Sequence, residues 1–375
     1  MKNPTQQIYS AGTSISDLEE EYVLDALRNG WYGEKKYYYC EKLQEEFAKY
    51  HKRNYALMTT NCTSALHLIL ASLNIGPGDE VIVPECTWIA SASPITYLGA
   101  TPIFCDIEKD SWCIDPKSFE ASITNRTKAV IVVDLFGNMP KMDLIKEICD
   151  NNNLHLIEDA AEALGSSFKG AKAGTFGIAS TFSFHNTKTM STGEGGMLLI
   201  DDKDVYEKCV KLRDHGRGPD TKPYFNDMIG FKYMPFNIQA ALGLAQFRRI
   251  DSLINVKKHH LSFYKENLKD IKATFNQENE DVNNGAWITG MVLDRSYKID
   301  KQFFIDSMKK LKVPIRPFFY PLSSIPAFNQ ADKYKHVNVN SYDISSRGFN
   351  LPGAPILKDE TLNFICAKIK EVLAQ

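Results

Sequence analysis

The chain has no long apolar run, no paired-cysteine motif and little histidine, and each lack removes a class of protein. Its longest apolar runs, such as residues 129–133 (Ala-Val-Ile-Val-Val), have the length of a strand and fall far short of the ~20 residues that span a bilayer. The opening Met1-Lys-Asn-Pro-Thr-Gln-Gln is polar and lacks the apolar stretch of a secretory signal. No membrane association is therefore expected, and the expected location is cytoplasmic. The eight cysteines (Cys40, Cys62, Cys86, Cys105, Cys113, Cys149, Cys209 and Cys366) are scattered, with no C-x-x-C spacing. Reduced thiols are the expectation, rather than a disulfide framework. The eight histidines fall into no zinc-ligand pattern, so no metal is expected. With 44 basic against 46 acidic residues the net charge is −2, and no basic tract offers a footing for nucleic acid.

What is present is an ordinary globular balance, 43% hydrophobic and 24% charged. Its 375 residues suffice for one large domain and a smaller one. Short apolar runs recur through the first two-thirds, at residues 80–84, 102–105, 129–133, 155–157, 181–184 and 197–200. Amphipathic stretches, such as residues 141–151, separate them. Buried runs alternating with helices predict an α/β fold with mainly parallel strands and crossover helices. From about Asn237 the texture changes. A helical pattern begins at Ile238-Gln-Ala-Ala-Leu and runs towards Leu268, followed by a break at Asn283-Asn-Gly-Ala286. Strand-like residues 287–293, a helix over 301–311 and a final helix over 359–374 complete the chain. This predicts a large α/β domain over residues 1–245, with an N-terminal arm, and a smaller C-terminal α+β domain over 246–375.

In Leu154-His-Leu-Ile-Glu-Asp-Ala-Ala-Glu-Ala-Leu-Gly165 an apolar strand ends on two acids. Ligands of open α/β sheets sit beyond the carboxyl ends of the strands, so Asp159 is aimed at that crevice. A buried carboxylate there needs a cationic partner. A protonated pyridinium nitrogen would provide one and would stay an electron sink; the alternative is an N-cap for a following helix. In Ser180-Thr-Phe-Ser-Phe-His-Asn-Thr-Lys-Thr-Met-Ser-Thr-Gly-Glu-Gly-Gly196 a strand leads into a loop holding Lys188, where Gly193, Gly195 and Gly196 free the backbone to turn. Poor solvation at a strand end favours the neutral amine that a Schiff-base lysine needs, while the alternative is a loop lysine in water. Thr59-Thr-Asn-Cys-Thr-Ser-Ala-Leu-His-Leu-Ile-Leu70 reads as a helix N-terminus. Thr63 and the Cys62–Thr63 backbone suit a phosphate there, or form a cap with no ligand. Trp88, in Pro84-Glu-Cys-Thr-Trp-Ile-Ala-Ser91, follows a strand end, where an aromatic either stacks on a flat ring or packs in the core.

Taken together, these segments resemble the nucleotide-sugar aminotransferases, which are fold-type-I pyridoxal-phosphate enzymes. The likeness is carried by Ser183-Phe-His-Asn-Thr-Lys188, Gly193-Glu-Gly-Gly196, Glu158-Asp-Ala-Ala161 and Gly76-Pro-Gly-Asp-Glu-Val81, and extends from about Glu19 to Leu373. The resemblance implies a large domain on a mainly parallel, seven-stranded sheet. It implies that Lys188 carries pyridoxal 5'-phosphate as a Schiff base and moves the proton, and that Asp159 pairs with the pyridine nitrogen. Thr63 and Ser183, with the Cys62 backbone, would hold the phosphate, and Trp88 would stack on the ring. Glu162 stands near the cofactor hydroxyl, where relatives often carry Gln or His. The perosamine-synthase branch, which aminates a GDP-linked 4-keto-6-deoxy sugar, also has Glu there. The segment Arg316-Pro-Phe-Phe-Tyr-Pro-Leu322 is close to that branch as well. The substrate contacts so implied are His185, Arg316 and Tyr320. The resemblance also implies L-glutamate as amino donor and a homodimer with shared active sites, Lys232 reaching the cofactor phosphate across it.

The chain departs from that branch at several places. Ser323 stands where His is common, Met234-Pro235-Phe236 is unusual, and residues 30–39 (Gly-Trp-Tyr-Gly-Glu-Lys-Lys-Tyr-Tyr-Tyr) differ. The expected function is transfer of an amino group to a nucleotide-linked keto-sugar for surface polysaccharide. The departures leave a small phosphorylated ketone as the alternative acceptor, such as dihydroxyacetone phosphate giving serinol phosphate for capsule synthesis. Two further alternatives fit less well. Pyridoxamine-dependent sugar dehydratases replace the cofactor lysine with His. A non-catalytic cofactor-binding regulator needs a DNA-binding domain, for which the stretch ahead of Glu19 is too short.

Overall fold

The apolar runs become strands of a seven-stranded sheet in the computed structural model, which describes residues 7–219 and 221–374. In chain order the strands are β1 (Tyr55–Thr59), β2 (Glu80–Pro84), β3 (Thr101–Cys105), β4 (Thr127–Val133) and β5 (His155–Asp159). A short hairpin follows, β6 (Ser167–Phe168) and β7 (Ala171–Lys172), then β8 (Ala179–Ser183) and β9 (Gly196–Ile200). The sheet order is β1-β9-β8-β5-β4-β2-β3. The pairs β3/β2, β2/β4, β4/β5 and β5/β8 are parallel, whereas β9 runs antiparallel to both β8 and β1. The mainly parallel sheet expected from the sequence is thus present, with one reversed strand. Both faces are covered, which is why the strands read as unbroken apolar runs rather than as alternation. Ile82, Val130 and Val132 pack into the core on one face. Val81, Val83, Ala129, Ile131 and Val133 pack into the core on the other. Strand β1, which supplies the sheet edge, is not among the runs read from the sequence.

The C-terminal part is built on an antiparallel sheet. It consists of β10 (Ala273–Phe275), β12 (Gly290–Leu293), β13 (Arg316–Pro317) and β14 (Gly348–Asn350), in the order β10-β12-β14-β13; β11 (Val282–Asn283) joins the β6–β7 hairpin instead. Helices Lys301–Lys310 and Asp359–Leu373 close its core through Phe304, Met308, Leu362, Ile365 and Ile369. The single helical pattern expected from Ile238 to Leu268 is two helices, Asn237–Arg248 and Ile250–Asn267. Arg249 interrupts it with φ −115° and ψ 24°, and its Nε donates to the buried Glu19 carboxylate at 2.5 Å. The second helix then serves both parts. Ile250, Leu253 and Ile254 pack under the large sheet, and Tyr264 packs in the C-terminal core.

All eight cysteines are buried and unpaired, acting as small apolar groups. Among the described residues no helix is long and apolar enough to cross a membrane.

Candidate active site

The carboxyl ends of β4, β5 and β8 converge with the start of helix Cys62–Ser72. Asp159 ends β5 and is 4% exposed. No helix follows over residues 160–165, so the alternative of a helix N-cap does not hold. Asp159 Oδ2 accepts from Ser91 Oγ at 2.7 Å, and Oδ1 accepts from the Ala161 N–H at 3.2 Å. Burial pushes its carboxyl above the usual range, opposed by the Ser91 and Ala161 hydrogen bonds and by Lys188. Among the described residues no cation bonds to it directly. An acid held by neutral donors in a buried wall is a site that favours a bound cationic group.

Lys188 lies in the loop after β8. That loop is closed by Phe184 N–H donating to the Gly195 carbonyl at 2.9 Å and Thr192 N–H donating to the Phe184 carbonyl at 2.8 Å. Gly193 supplies the turn at φ +79°, a backbone conformation that disfavours other residues. The lysine side chain is only 14% exposed, which sets it apart from a loop lysine in water. Its Nζ lies 3.0 Å from Glu162 Oε1 and 3.7 Å over the centroid of the Trp287 ring. Glu162 Oε2 accepts from the Phe136 N–H at 3.0 Å. Burial raises the Glu162 carboxyl, and the Lys188 charge pulls it back.

Helix Cys62–Ser72 begins with Asn61 as its cap, whose Oδ1 accepts from the Ser64 N–H at 2.8 Å. One cap side chain leaves other first-turn N–H groups without a helical partner. The strand beneath comes so close that a Cβ on Gly196 would stand 2.5 Å from the Asn61 carbonyl carbon. Ser183 ends β8 nearby, and its Oγ accepts from the His185 N–H at 3.3 Å. His185 Nδ1 is 2.9 Å from Thr187 Oγ1, and its Nε2 is 3.6 Å from Glu194.

These groups share one cavity of about 1160 Å³, lined by Cys62, Thr63, Trp88, Asp159, Glu162, Ser183, His185, Lys188, Arg316 and Tyr320. Trp88 is 60% exposed, with its ring 6.1 Å from that of Phe319, so it is a wall residue and not core. Arg316 makes no ion pair among the described residues. Two positions singled out in the sequence lie elsewhere. Lys232 is outside the cavity of its own chain, paired with Asp214 at 2.6 Å. Ser323 is buried, its N–H donating to Glu85 at 2.7 Å and its Oγ 2.9 Å from the Tyr342 hydroxyl. The reading from sequence missed Ser91, Trp287 and the His67–Tyr233 pair, joined at 2.9 Å. Ser91 closes a motif already in view; Trp287 follows a loop break and carries no local signal.

The residues present fit pyridoxal 5'-phosphate. Among the described residues the buried Asp159 has no cationic partner bonded to it, a helix start with hydroxyls stands ready for a phosphate, and an amine lies in the same cavity.

The sequence pattern of the DegT/DnrJ/EryC1/StrS aminotransferase family matches residues 13–370. GDP-perosamine synthase of Escherichia coli O157:H7 is 39% identical over 358 residues, covering 96% of both chains. GDP-perosamine synthase of Vibrio cholerae is 35% identical over 358 residues, covering 95% of this chain and 96% of the relative. Among solved structures, the PLP form of Spr1654 from Streptococcus pneumoniae, assigned as a sugar aminotransferase, superposes with a TM-score of 0.91 at 26% identity. The match covers 98% of this chain and 99% of that one. The structure of 3-amino-5-hydroxybenzoic acid synthase gives 0.90 at 26% identity, covering 98% and 100%.

Proposed function

Because the chain belongs to the DegT/DnrJ/EryC1/StrS aminotransferase family, we propose that it moves an amino group from L-glutamate to a GDP-linked 4-keto-6-deoxy sugar destined for surface polysaccharide. The chain is a pyridoxal-phosphate-dependent aminotransferase. The observation that carries the site assignment is the single cavity shared by Lys188, Asp159 and the start of helix Cys62–Ser72.

In this reading Lys188 binds the cofactor and, once released by the donor, carries the proton as general base and then acid. Asp159 pairs with the pyridine nitrogen, and Thr63, Ser183 and the Cys62 backbone hold the phosphate. Trp88 covers the ring and Glu162 stands by the hydroxyl. When bound, the cofactor supplies the electron sink. His185, Arg316 and Tyr320 meet the substrate. The GDP-linked acceptor is supported by relatives named for a GDP-linked product, GDP-perosamine, and by a cavity of about 1160 Å³, larger than a cofactor alone requires. The small-ketone alternative loses its argument from Ser323, which is not in the cavity wall.

The protein works as a homodimer in the cytoplasm, its two active sites shared and Lys232 directed to the partner's cofactor phosphate. Exposed aromatics near residues 30–38 support a covered face: Tyr32 is 87% exposed, and Phe236 packs edge-on to Trp31 at 5.7 Å. Transfer is ping-pong. A Lys188→Ala protein should lose turnover in full, and retained turnover would overturn the site assignment. For the acceptor, the glutamate-treated enzyme is mixed in turn with GDP-, dTDP- and UDP-linked keto sugars and with small keto phosphates. The GDP sugar should restore the cofactor absorbance band fastest. Restoration by keto phosphates alone would sink the substrate assignment.

A further inference from the structure

The Lys188 amine meets groups from two distant parts of the chain. Glu162 Oε1 lies 3.0 Å from its Nζ, and the Trp287 ring centroid lies 3.7 Å from the same atom. Trp287 is 7% exposed, and its Nε1–H donates at 2.7 Å to the carbonyl of Thr187, the residue before the lysine. The ring is fixed in turn. Asn276 Nδ2 donates both to the Phe136 carbonyl at 2.7 Å and to the Ile288 carbonyl at 2.9 Å, binding the Trp287 segment to the turn after β4. That turn also presents the Phe136 N–H to Glu162 at 3.0 Å. One turn therefore holds both the carboxylate and the indole that flank the amine.

A cation over an indole face is attracted by the ring quadrupole, most strongly where water is excluded. Transamination requires the lysine to be free and to carry a proton for part of each turnover. We propose that Trp287 is a positioning residue: together with Glu162, its indole face is the berth of the free Lys188 ammonium. Its N–H also sets the backbone from which that amine swings. The berth rests on the reading of Lys188 as the cofactor lysine, and it is independent of the acceptor.

The test uses the full chain stripped of cofactor. Acetylation of Lys188 by acetic anhydride at fixed pH is followed by mass spectrometry, with exposed Lys203 as the internal reference. In Trp287→Leu, Lys188 should react about 3- to 30-fold faster while Lys203 is unchanged. Trp287→Phe, which keeps an aromatic face, should stay within about threefold of the unmodified chain. In the loaded enzyme, Trp287→Leu should lower kcat and leave the KM for glutamate unchanged, and Trp287→Phe should restore most of the loss. Should Trp287→Leu not fold, Trp287→Met is read in its place. Equal Lys188 acetylation in the aliphatic variant and the unmodified chain would overturn the berth, and so would a Phe variant as perturbed as the aliphatic one. Borohydride reduction of the loaded enzyme with peptide mapping reads the cofactor attachment separately. A label absent from Lys188 overturns that assignment and leaves the acetylation result to stand alone.

Discussion

Replacing Asp159 by Asn separates its charge from its shape. The carboxylate is buried and takes neutral donors: Ser91 Oγ at 2.7 Å, the Ala161 N–H at 3.2 Å and the Cys62 thiol at 3.9 Å. An amide of the same size keeps an acceptor for one of them and loses the negative charge facing the cavity. Hydrogen bonds to charged groups are worth about 1.5–3 kcal/mol net, roughly twice the neutral kind. If the pyridine nitrogen is the partner, losing the whole of that charged hydrogen bond slows each half-reaction about 10- to 150-fold. Stability should move the other way. Burial raises the Asp159 carboxyl in the folded chain above its unfolded value near 3.9. A group raised on folding stabilises the fold at low pH, and that stabilisation is lost as pH rises through the folded value, so the ionised acid is a cost at neutral pH. The apo-form of Asp159→Asn should therefore be at least as stable as the unmodified chain at pH 7. Stopped-flow absorbance with glutamate reads the rate, and urea unfolding reads the stability. A half-reaction within threefold of the unmodified rate would refute the assignment of Asp159.

Further outcomes follow from the same structure. Glu162→Gln keeps a partner for the Phe136 N–H and for Lys188, so its kcat should fall by less than about tenfold. Glu162→Ala strands a buried cation and should destabilise the apo-protein by about 3 kcal/mol in urea unfolding. Lys257 is buried, its Nζ donating to the Gly353 carbonyl at 2.7 Å, and burial pushes its amine down to about 8. Its value is depressed on folding, so stability should be lowest below pH 8 and should rise by about 3 kcal/mol towards pH 10.5. Lys257→Met should lack that rise; identical pH slopes for the two proteins in chemical denaturation would count against it.

What could be read from the sequence was whatever is local. Strands buried on both faces declare themselves as unbroken apolar runs, and the motifs around Asp159 and Lys188 sit at strand ends, where α/β sheets place their ligands. The helix break at Arg249 was not legible; the contact made there is to Glu19, more than two hundred residues away. Edge strand β1 escaped because its short run, Tyr55-Ala-Leu-Met-Thr, carries only a weak signal. The stretch that carries Lys188 was thus legible from one segment of chain. Its surroundings were not: Glu162 and the Trp287 ring are brought to the amine by the turn after β4 and the packing of the C-terminal part, and Ser91 reaches Asp159 because β2 and β5 lie in one sheet. Tertiary structure also took Ser323 out of the cavity wall and placed Lys232 beside Asp214. A sequence records which groups are present and how they repeat along the chain. Which of them share a buried space is decided by the long-range packing that closes the cavity around them.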